Sequence, residues 1–397
     1  MTQAPAPDAA GYGGAILPAG VTARFVEGVN GLRMHVLEAG AGAGRPLLML
    51  LHGFPELAWS WRKVMPALAE GGYHVVAPDQ RGYGLTTGWA DGYETDLRPF
   101  GMLGLVRDAV GLVAALGHDR AAGLIGHDFG SPVAAWAALL RPDIFRAVAL
   151  MSAPFGGPPD LPEAARGAGR PGGGGAVGAP PSGGGLAEAL ADLPQPRKHY
   201  QHYYATRDAD ADMRHAPQGL HAFLRAYYHV KSADWPGNQP HALADWSAVE
   251  LAQLPTYYVM DLARTMAETV APHMPPPAQV AACEWLTEAD LAVYAERFAA
   301  TGFQGGLNWY RAAQAPAIVT EQQLFAGRGI EVPACYIAGA ADWGIYQSPG
   351  ALERMEQAGC RRFLGRHLVP NAGHWVQQEQ PDATARLLRA FLAEAGS

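Results

Sequence analysis

Cysteine and charge are both scarce in this chain of 397 residues. Its three cysteines, Cys283, Cys335 and Cys360, are widely separated and form no CxxC pair, which excludes a disulfide framework. Lysine and arginine number 29 against 37 aspartates and glutamates, so the formal net charge is −8. A nucleic-acid or anionic membrane partner is not expected, because phosphate groups are bound by clustered basic side chains.

Long apolar runs and metal-binding patterns are also missing. No stretch reaches the ~18 apolar residues of a membrane span. Residues 1–20 contain no lysine or arginine and no apolar run, so no secretory signal is expected. The zinc-protease pattern HExxH is absent, and no cysteine or histidine spacing suits zinc. We therefore expect a cytoplasmic protein that needs no cofactor and no metal.

Glycine and proline, by contrast, are abundant, with 49 and 32 residues. Residues 156–185 hold 12 glycines and six prolines in 30 positions, which predicts a flexible connector rather than a packed element. Gly167-Ala168-Gly169-Arg170-Pro171-Gly172 formally matches GxGxxG. We reject it as a phosphate site, because no strand precedes it and Pro171 lacks an amide hydrogen. Residues 1–20 are expected to form a flexible tail.

Outside those segments, short apolar runs alternate with helical spacing. Strands are predicted at 46–51, 73–78, 121–126, 147–151, 332–338 and 367–369, with a hairpin turn at Asn30-Gly31, and helices at 59–71, 96–116, 131–140 and 383–395. This alternation predicts βαβ units and a parallel sheet. Residues 186–314 are helical and rich in tyrosine and tryptophan. They predict an all-helical cap inserted into an α/β core made of residues 21–155 and 315–397.

The strongest chemical signal is Gly126-His127-Asp128-Phe129-Gly130, between a predicted strand and a predicted helix. Glycines two residues before and two residues after the central position allow the sharp turn of a nucleophile elbow, which exposes the central side chain above the sheet. Serine is the usual nucleophile there, but this chain has Asp128. A carboxylate is already ionised at neutral pH and can attack an sp³ carbon to form an ester.

Two further motifs follow late strands of the predicted sheet. Asp342 comes after one strand in the run ADWG, and His374 comes after the last strand in the run NAGHW. The chain order nucleophile, acid, histidine is that of α/β-hydrolase triads, so both are predicted partners of Asp128. Asp79 and Asp143 also lie near strand ends, but their sequence context is that of structural turns.

The run His52-Gly53-Phe54-Pro55 directly follows the strand predicted at 46–51. In a fold with a nucleophile elbow, this loop supplies one amide of the oxyanion hole, and the residue after the nucleophile supplies the other. The backbone amides of Phe54 and Phe129 are therefore the predicted oxyanion donors. A cis peptide bond before Pro55 would turn the loop inward.

Four motifs together resemble those of the epoxide hydrolases of the α/β-hydrolase superfamily, over roughly residues 22–395. They are His52-Gly53-Phe54-Pro55-Glu56, Asp79-Gln80-Arg81-Gly82-Tyr83-Gly84, Gly126-His127-Asp128-Phe129-Gly130 and Gly373-His374-Trp375. The resemblance implies an α/β-hydrolase fold, with a mostly parallel eight-stranded sheet flanked by helices and an inserted helical cap. It also implies that a small apolar epoxide and water become a vicinal diol, through a hydroxyalkyl ester on Asp128.

In this family two cap tyrosines donate hydrogen bonds to the epoxide oxygen. Gly306-Leu307-Asn308-Trp309-Tyr310-Arg311 resembles one tyrosine segment and His199-Tyr200-Gln201-His202-Tyr203 the other, which implies roles for Tyr310 and Tyr200. Tyr203 and Tyr204 remain open as competitors of Tyr200. The residues expected around the substrate pocket are His52, Pro55, Gln201, Trp309 and Trp375.

Other functions stay open at this point. A haloalkane or haloacid dehalogenase shares the aspartate nucleophile, but that family usually has Asn or Trp where Phe54 stands. Both families usually carry Trp where this chain has Phe129, which we interpret as a change in pocket shape. A non-catalytic small-ligand-binding member of the fold is disfavoured because the triad is complete, and a serine esterase because the elbow holds no serine. The sequence does not decide the oligomeric state, with a homodimer as one option.

Overall fold

The computed structural model describes Tyr12, residues 15–161 and residues 184–396. Most of the connector predicted at 156–185 and of the tail predicted at 1–20 lies outside the described residues. The rejected GxGxxG segment at 167–172 lies outside them as well. These three interpretations therefore stay predictions.

A mostly parallel sheet of eight strands forms the centre of the described residues. The strands among the described residues are β1 (Val21–Val29), β2 (Leu32–Ala39), β3 (Leu47–Leu51), β4 (His74–Pro78), β5 (Ala121–His127), β6 (Val148–Met151), β7 (Arg197–His199), β8 (Val259–Asp261), β9 (Ile330–Gly339) and β10 (Cys360–Val369). The sheet order is β1-β2-β4-β3-β5-β6-β9-β10, while β7 and β8 pair separately. Strand β2 runs antiparallel to β1 and β4, and the other neighbours are parallel. The predicted fold class is confirmed.

The N-terminal edge of this sheet is the predicted hairpin. Asn30 and Gly31 connect β1 to β2 and have φ angles of 52° and 80°. Two consecutive residues with positive φ make a type I′ turn, whose twist matches that of the flanking strands, and Asn-Gly is the pair that adopts it most readily. The turn chemistry alone therefore located this hairpin correctly.

Helices cover the sheet and account for most of the elements described between β6 and β9. Those near the sheet are α1 (Met65–Glu70), α2 (Met102–Ala115), α3 (Gly130–Leu140), α14 (Ala351–Arg354), α15 (Val376–Glu379) and α16 (Pro381–Ala395). Those between β6 and β9 are α4 (Gly184–Ala191), α5 (Tyr200–Tyr204), α6 (Ala209–Arg214), α7 (Leu220–Lys231), α8 (Ala248–Leu251), α9 (Met266–Val270), α10 (Pro277–Ala282), α11 (Glu288–Thr301), α12 (Gln304–Gln314) and α13 (Pro316–Gln322). This inserted helical region is consistent with the predicted cap.

Some predicted bounds were inaccurate, and two short strands were not predicted. The helix predicted at 59–71 is a 3₁₀ turn, Ala58–Trp61, followed by α1. Pro66 lies in the first turn of α1, where its missing amide hydrogen costs nothing, so the α-helix starts there. Strand β10 begins seven residues before the predicted 367, because it is a sheet edge whose partly exposed residues lack a continuous apolar run. The three-residue strands β7 and β8 are too short to give a periodic signal.

The topology determines where functional side chains can meet. Strands β3, β5, β9 and β10 are parallel, and each is followed by one of the loops singled out in the sequence. Because the carboxyl ends of parallel strands share one edge of a sheet, these loops converge there. Within the described ranges, none of the helices combines the length and the apolar composition required to cross a bilayer.

Candidate active site

The aspartate of the elbow occupies the turn between β5 and α3. Asp128 has a φ of 51°, a left-handed conformation that a non-glycine residue seldom adopts. The turn is tight enough that a Cβ on Gly126 would meet the backbone of Gly130, and one on Gly130 would meet the carbonyl of Leu51. Both glycines of the motif are therefore sterically required. They let the strand reverse direction while the Asp128 carboxylate stays above the sheet, with 7% of the residue exposed.

His374 lies between Asp128 and Asp342 and contacts both carboxylates. His374 Nε2 lies 3.1 Å from Asp128 Oδ2, and His374 Nδ1 lies 3.0 Å from Asp342 Oδ1. Asp342 also accepts a hydrogen bond of 2.7 Å from the amide of Gly344, which orients it at the end of β9. All three side chains of the predicted triad are thus brought together across 246 residues of sequence separation.

The charge on Asp128 is stabilised from several sides. Burial alone would raise the pKa of its carboxyl, but the hydrogen bond from His374 and the nearby positive charges hold that pKa well below the usual range. The amide of Phe54 donates a 2.8 Å hydrogen bond to Asp128 Oδ1. The Phe54–Pro55 peptide bond is cis, as the sequence suggested. The amide of Phe129 donates no hydrogen bond within the described residues, so it is free to meet a ligand oxygen.

Two tyrosines from the inserted helical region face this carboxylate. The rings of Tyr200 and Tyr310 lie 6.0 Å apart, and the Tyr310 ring contacts Phe54 and Phe129 edge to face, at centroid distances of 5.5 and 4.9 Å. Burial and then the charge of Asp128 raise the pKa of both hydroxyls well above the usual value. Both phenols therefore keep their protons at neutral pH.

The hydroxyl contacts separate Tyr200 from its two competitors. Tyr203 donates to Asp212, and Tyr204 donates to Tyr227, so each has a partner elsewhere in the helical region. Tyr200 donates to Gln347 Oε1 and accepts from Gln201 Nε2, both at 3.1 Å. Gln201, which is expected at the substrate pocket, contacts the Tyr200 phenol through its side-chain amide, and its place in the pocket stays a prediction.

The other residues expected at the pocket use their polar atoms internally. His52 contacts the carbonyl of Gly53 and accepts from the amide of Gln80. Trp309 Nε1 donates to the carbonyl of Arg81, and Trp375 Nε1 donates to that of Tyr228. The carbonyl of Pro55 accepts a hydrogen bond from the Tyr228 hydroxyl. These groups are not free to bind substrate, so the expectation that they line the pocket is limited to their apolar faces.

A buried lysine near the nucleophile was missed by sequence reasoning. Lys231, at the end of α7, is only 4% exposed, and its ammonium lies 5.1–5.5 Å from the ring centroids of Tyr227, Tyr258 and Trp375. Its positive charge helps to lower the pKa of Asp128. A lysine at a helix end is normally solvated, so nothing in the sequence marked this one as buried.

A buried ion pair beneath the elbow was also missed, although both members lie in the quoted motifs. Glu56 Oε2 is 2.7 Å from His127 Nδ1, and His127 Nε2 is 2.7 Å from the carbonyl of His374. Burial opposes charge on either group, but each partner's charge prevails: the pKa of Glu56 is lowered and that of His127 is raised. Both ring nitrogens of His127 are thus engaged, one by Glu56 and the other by the backbone of the histidine loop.

The two aspartates set aside in the sequence have other partners. Asp79 accepts hydrogen bonds from Tyr12 and His35 and is fully buried, with a pKa that these contacts, against burial, lower to about 2. Asp143 pairs with Arg141 on the surface. Neither reaches His374.

The chain is similar to known proteins in both sequence and structure. A family model described as the alpha/beta hydrolase fold matches residues 46–170. Epoxide hydrolase A of Mycobacterium tuberculosis is 33% identical over 372 residues, which cover 94% of this chain and 97% of that protein. An epoxide hydrolase structure from an endophytic Streptomyces superposes with a TM-score of 0.73 at 30% identity, covering 95% and 96% of the two chains. Potato (Solanum tuberosum) epoxide hydrolase I gives 0.69 at 27% identity, covering 94% and 99%.

The alignment with the mycobacterial protein extends over nearly the whole chain, so it is not confined to the residues that the family model matches. The aspartate elbow and the facing tyrosines are the features that the sequence resemblance implies for this family. This chain belongs to the epoxide hydrolase family of the α/β-hydrolase fold.

Proposed function

We propose that Asp128 is the covalent nucleophile with which this epoxide hydrolase opens its substrate. The observation that carries the proposal is the Asp128 carboxylate itself, ionised at a strained elbow and hydrogen-bonded to His374 through Oδ2 only. Its other oxygen, Oδ1, is occupied by the Phe54 amide. We therefore assign the attack on the epoxide carbon to Oδ2.

In the first step, Oδ2 forms a bond to one epoxide carbon, and the bond between that carbon and the ring oxygen breaks. The electron pair goes to the ring oxygen, which is a poor leaving group unless it receives hydrogen bonds or a proton. Tyr200 and Tyr310 supply them, because their raised pKa values keep both hydroxyls protonated. Tyr200 must exchange its contact with Gln347 for one with the substrate. One of the two phenols transfers its proton to the ring oxygen, so the product of this step is a hydroxyalkyl ester on Asp128 and a phenolate stabilised by the neighbouring hydroxyl.

In the second step, His374 removes a proton from water, and the hydroxide attacks the carbonyl carbon of the ester. Asp342 orients the imidazole and stabilises the imidazolium that forms. Negative charge develops on Oδ1, where the Phe54 amide already donates and where the Phe129 amide can join it. Collapse of this intermediate breaks the ester bond, and the departing alkoxide takes the proton of the added hydroxyl, which releases the vicinal diol and leaves Asp128 ionised. The proton held by the His374 imidazolium then replaces the one that a phenol gave up in the first step. The reaction needs no group beyond these side chains, the amides and water.

The surroundings of the site favour a small apolar epoxide. The rings of Phe54, Phe129, Tyr204 and Tyr310 pack around the position that a substrate must take between elbow and phenols. The tyrosine donors come from residues 186–314 and the triad from residues 21–155 and 315–397. We therefore propose that the cap and core predicted from the sequence each supply one side of the site.

The substitution His374→Gln tests the covalent step directly. The variant should form the ester but fail to hydrolyse it, so intact-mass spectrometry after mixing with styrene oxide should show an adduct equal in mass to the epoxide. His215→Gln is the matched control, because His215 is an exposed histidine outside the site. Asp128→Ala should form no adduct and no diol. An unmodified mass in the His374→Gln variant together with normal turnover would refute the proposed mechanism.

A further inference from the structure

Glu379 binds the backbone on both sides of His374. Its Oε2 accepts hydrogen bonds from the amides of Gly373 at 2.9 Å and Ala233 at 2.8 Å, and its Oε1 accepts from the amide of Trp375 at 3.0 Å. Two of these donors flank His374 directly, and the third lies just after α7. One carboxylate thus joins the histidine loop to a helix of the cap.

Main-chain contacts reinforce the same junction. The amide of His374 donates to the carbonyl of Lys231 at 2.8 Å. A Cβ on Gly373 would meet that carbonyl at 2.6 Å and the amide nitrogen of Ala233 at the same distance, so the loop backbone packs directly on the end of α7. The Trp375 ring lies on Tyr228, with centroids 4.4 Å apart. The amides of residues 373, 374 and 375 are therefore all engaged by Glu379 or by α7.

Glu379 forms no ion pair with a cation among the described residues, and burial raises the pKa of its carboxyl group to about 8, although the hydrogen bonds from the three amides oppose this shift. Its acceptor capacity is spent on amides, and this favours a geometric role over a surface charge pair. A glutamate that accepts hydrogen bonds from these three amides restrains the dihedral angles of the backbone around His374. It thereby restrains the direction of the His374 imidazole. The Asp342 carboxylate meets the histidine loop through the imidazole nitrogen of His374, and its other hydrogen bond comes from Gly344, outside that loop.

We infer that Glu379 is a positioning residue for His374, holding the imidazole at the correct angle to the ester by clamping the loop to cap helix α7. This inference rests on the proposed function, in which His374 acts only in ester hydrolysis. Loss of the clamp should therefore slow the second step and leave the attack by Asp128 unchanged. A displacement of about 1 Å at a catalytic group is enough to slow a step by about 100-fold.

Two substitutions remove different numbers of the hydrogen bonds that Glu379 accepts. Glu379→Gln keeps one oxygen that can accept from Ala233 and Gly373, but its NH₂ group would face the amide of Trp375. Glu379→Ala removes all three contacts. Glu296→Gln is the matched control, because Glu296 is an exposed glutamate on α11. The rates of ester formation and ester hydrolysis should be measured separately, by pre-steady-state mixing with styrene oxide and by intact mass over time.

The inference requires ester hydrolysis to fall by about tenfold or more in Glu379→Ala and by less in Glu379→Gln, with ester formation within about twofold of wild type. Normal ester formation also establishes that the variants are folded. Hydrolysis within about twofold of wild type in both variants would overturn it. A parallel loss of both rates would also overturn it, because it would mean general disruption. If His374→Gln itself forms no ester, the proposed mechanism fails instead, and the two failures are thus distinguished.

Discussion

Replacing Tyr310 with phenylalanine removes one proposed donor to the epoxide oxygen and little else. Within the described part of the chain, no group hydrogen-bonds the Tyr310 hydroxyl, and the ring packs edge to face against Phe54 and Phe129. Phenylalanine keeps those ring contacts and leaves no partner unsatisfied. The free energy of unfolding should therefore change by about 0.5 kcal/mol or less.

The kinetic effect should be much larger. Removing one preorganised donor from a developing oxyanion typically costs about 2.7–4 kcal/mol, or about 10²–10³-fold in rate. Ester formation in Tyr310→Phe should fall by that factor, as measured by stopped-flow fluorescence in a single turnover. Hydrolysis of the ester should be unchanged, because the phenol takes no part in it. The two rates therefore move independently.

Tyr203→Phe is the control for this experiment. Tyr203 is a buried tyrosine of the same helical region, but its hydroxyl donates to Asp212. Ester formation in this control should match wild type. A Tyr310→Phe variant that forms ester within about twofold of the wild-type rate would refute the role of the phenol. A loss that accompanies unfolding would refute the stability argument.

Three further predictions follow from the charges. The pKa of Asp128 is lowered and the pKa of both facing phenols is raised, so the rate of ester formation should be independent of pH between about 5 and 9. A change of that rate with pH in this range, measured by stopped flow, would contradict the prediction. Lys231→Met removes a positive charge near Asp128, so the fall in the rate of ester formation at acid pH should occur at a higher pH than in wild type. If that fall does not move, the charge of Lys231 does not lower the pKa of Asp128. Glu38 pairs with Arg24 and His74, which lower its pKa to about 2. Its unfolded pKa is about 4.3, so this stabilisation is complete above that pH and is lost as the pH falls toward 2. After a discount for solvent, Glu38→Gln should cost about 1–2 kcal/mol at neutral pH in urea unfolding, and an unchanged midpoint would contradict the pairing.

The sequence was most informative where local geometry has few solutions. Glycines flanking Asp128 predicted a turn that only such residues permit, and the structure has a φ of 51° at that aspartate. The parallel strands then predicted that loops distant in sequence would share one edge. His374 and Asp342 meet there as a consequence of topology rather than of any contact visible in the sequence.

Burial of charged side chains was not predictable in this way. Lys231 is buried and Glu379 is partly buried, yet neither carries a local pattern that separates it from solvated residues at helix ends, and their environment is created by the packing of α7 on the histidine loop. Helical spacing also left Tyr200 and Tyr204 equivalent, because residues four apart share a helix face. Their hydroxyl partners, which come from distant segments, distinguish them.

The central claim is that the oxygen added from water passes through the Asp128 carboxylate. A single turnover in H₂¹⁸O, with enzyme in excess over epoxide, tests it directly. The account predicts a diol that contains only ordinary oxygen and a heavy oxygen in the peptide that carries Asp128, both read by mass spectrometry. Heavy oxygen in the diol, with an unlabelled Asp128 peptide, would mean that water attacks the epoxide itself and would contradict the account.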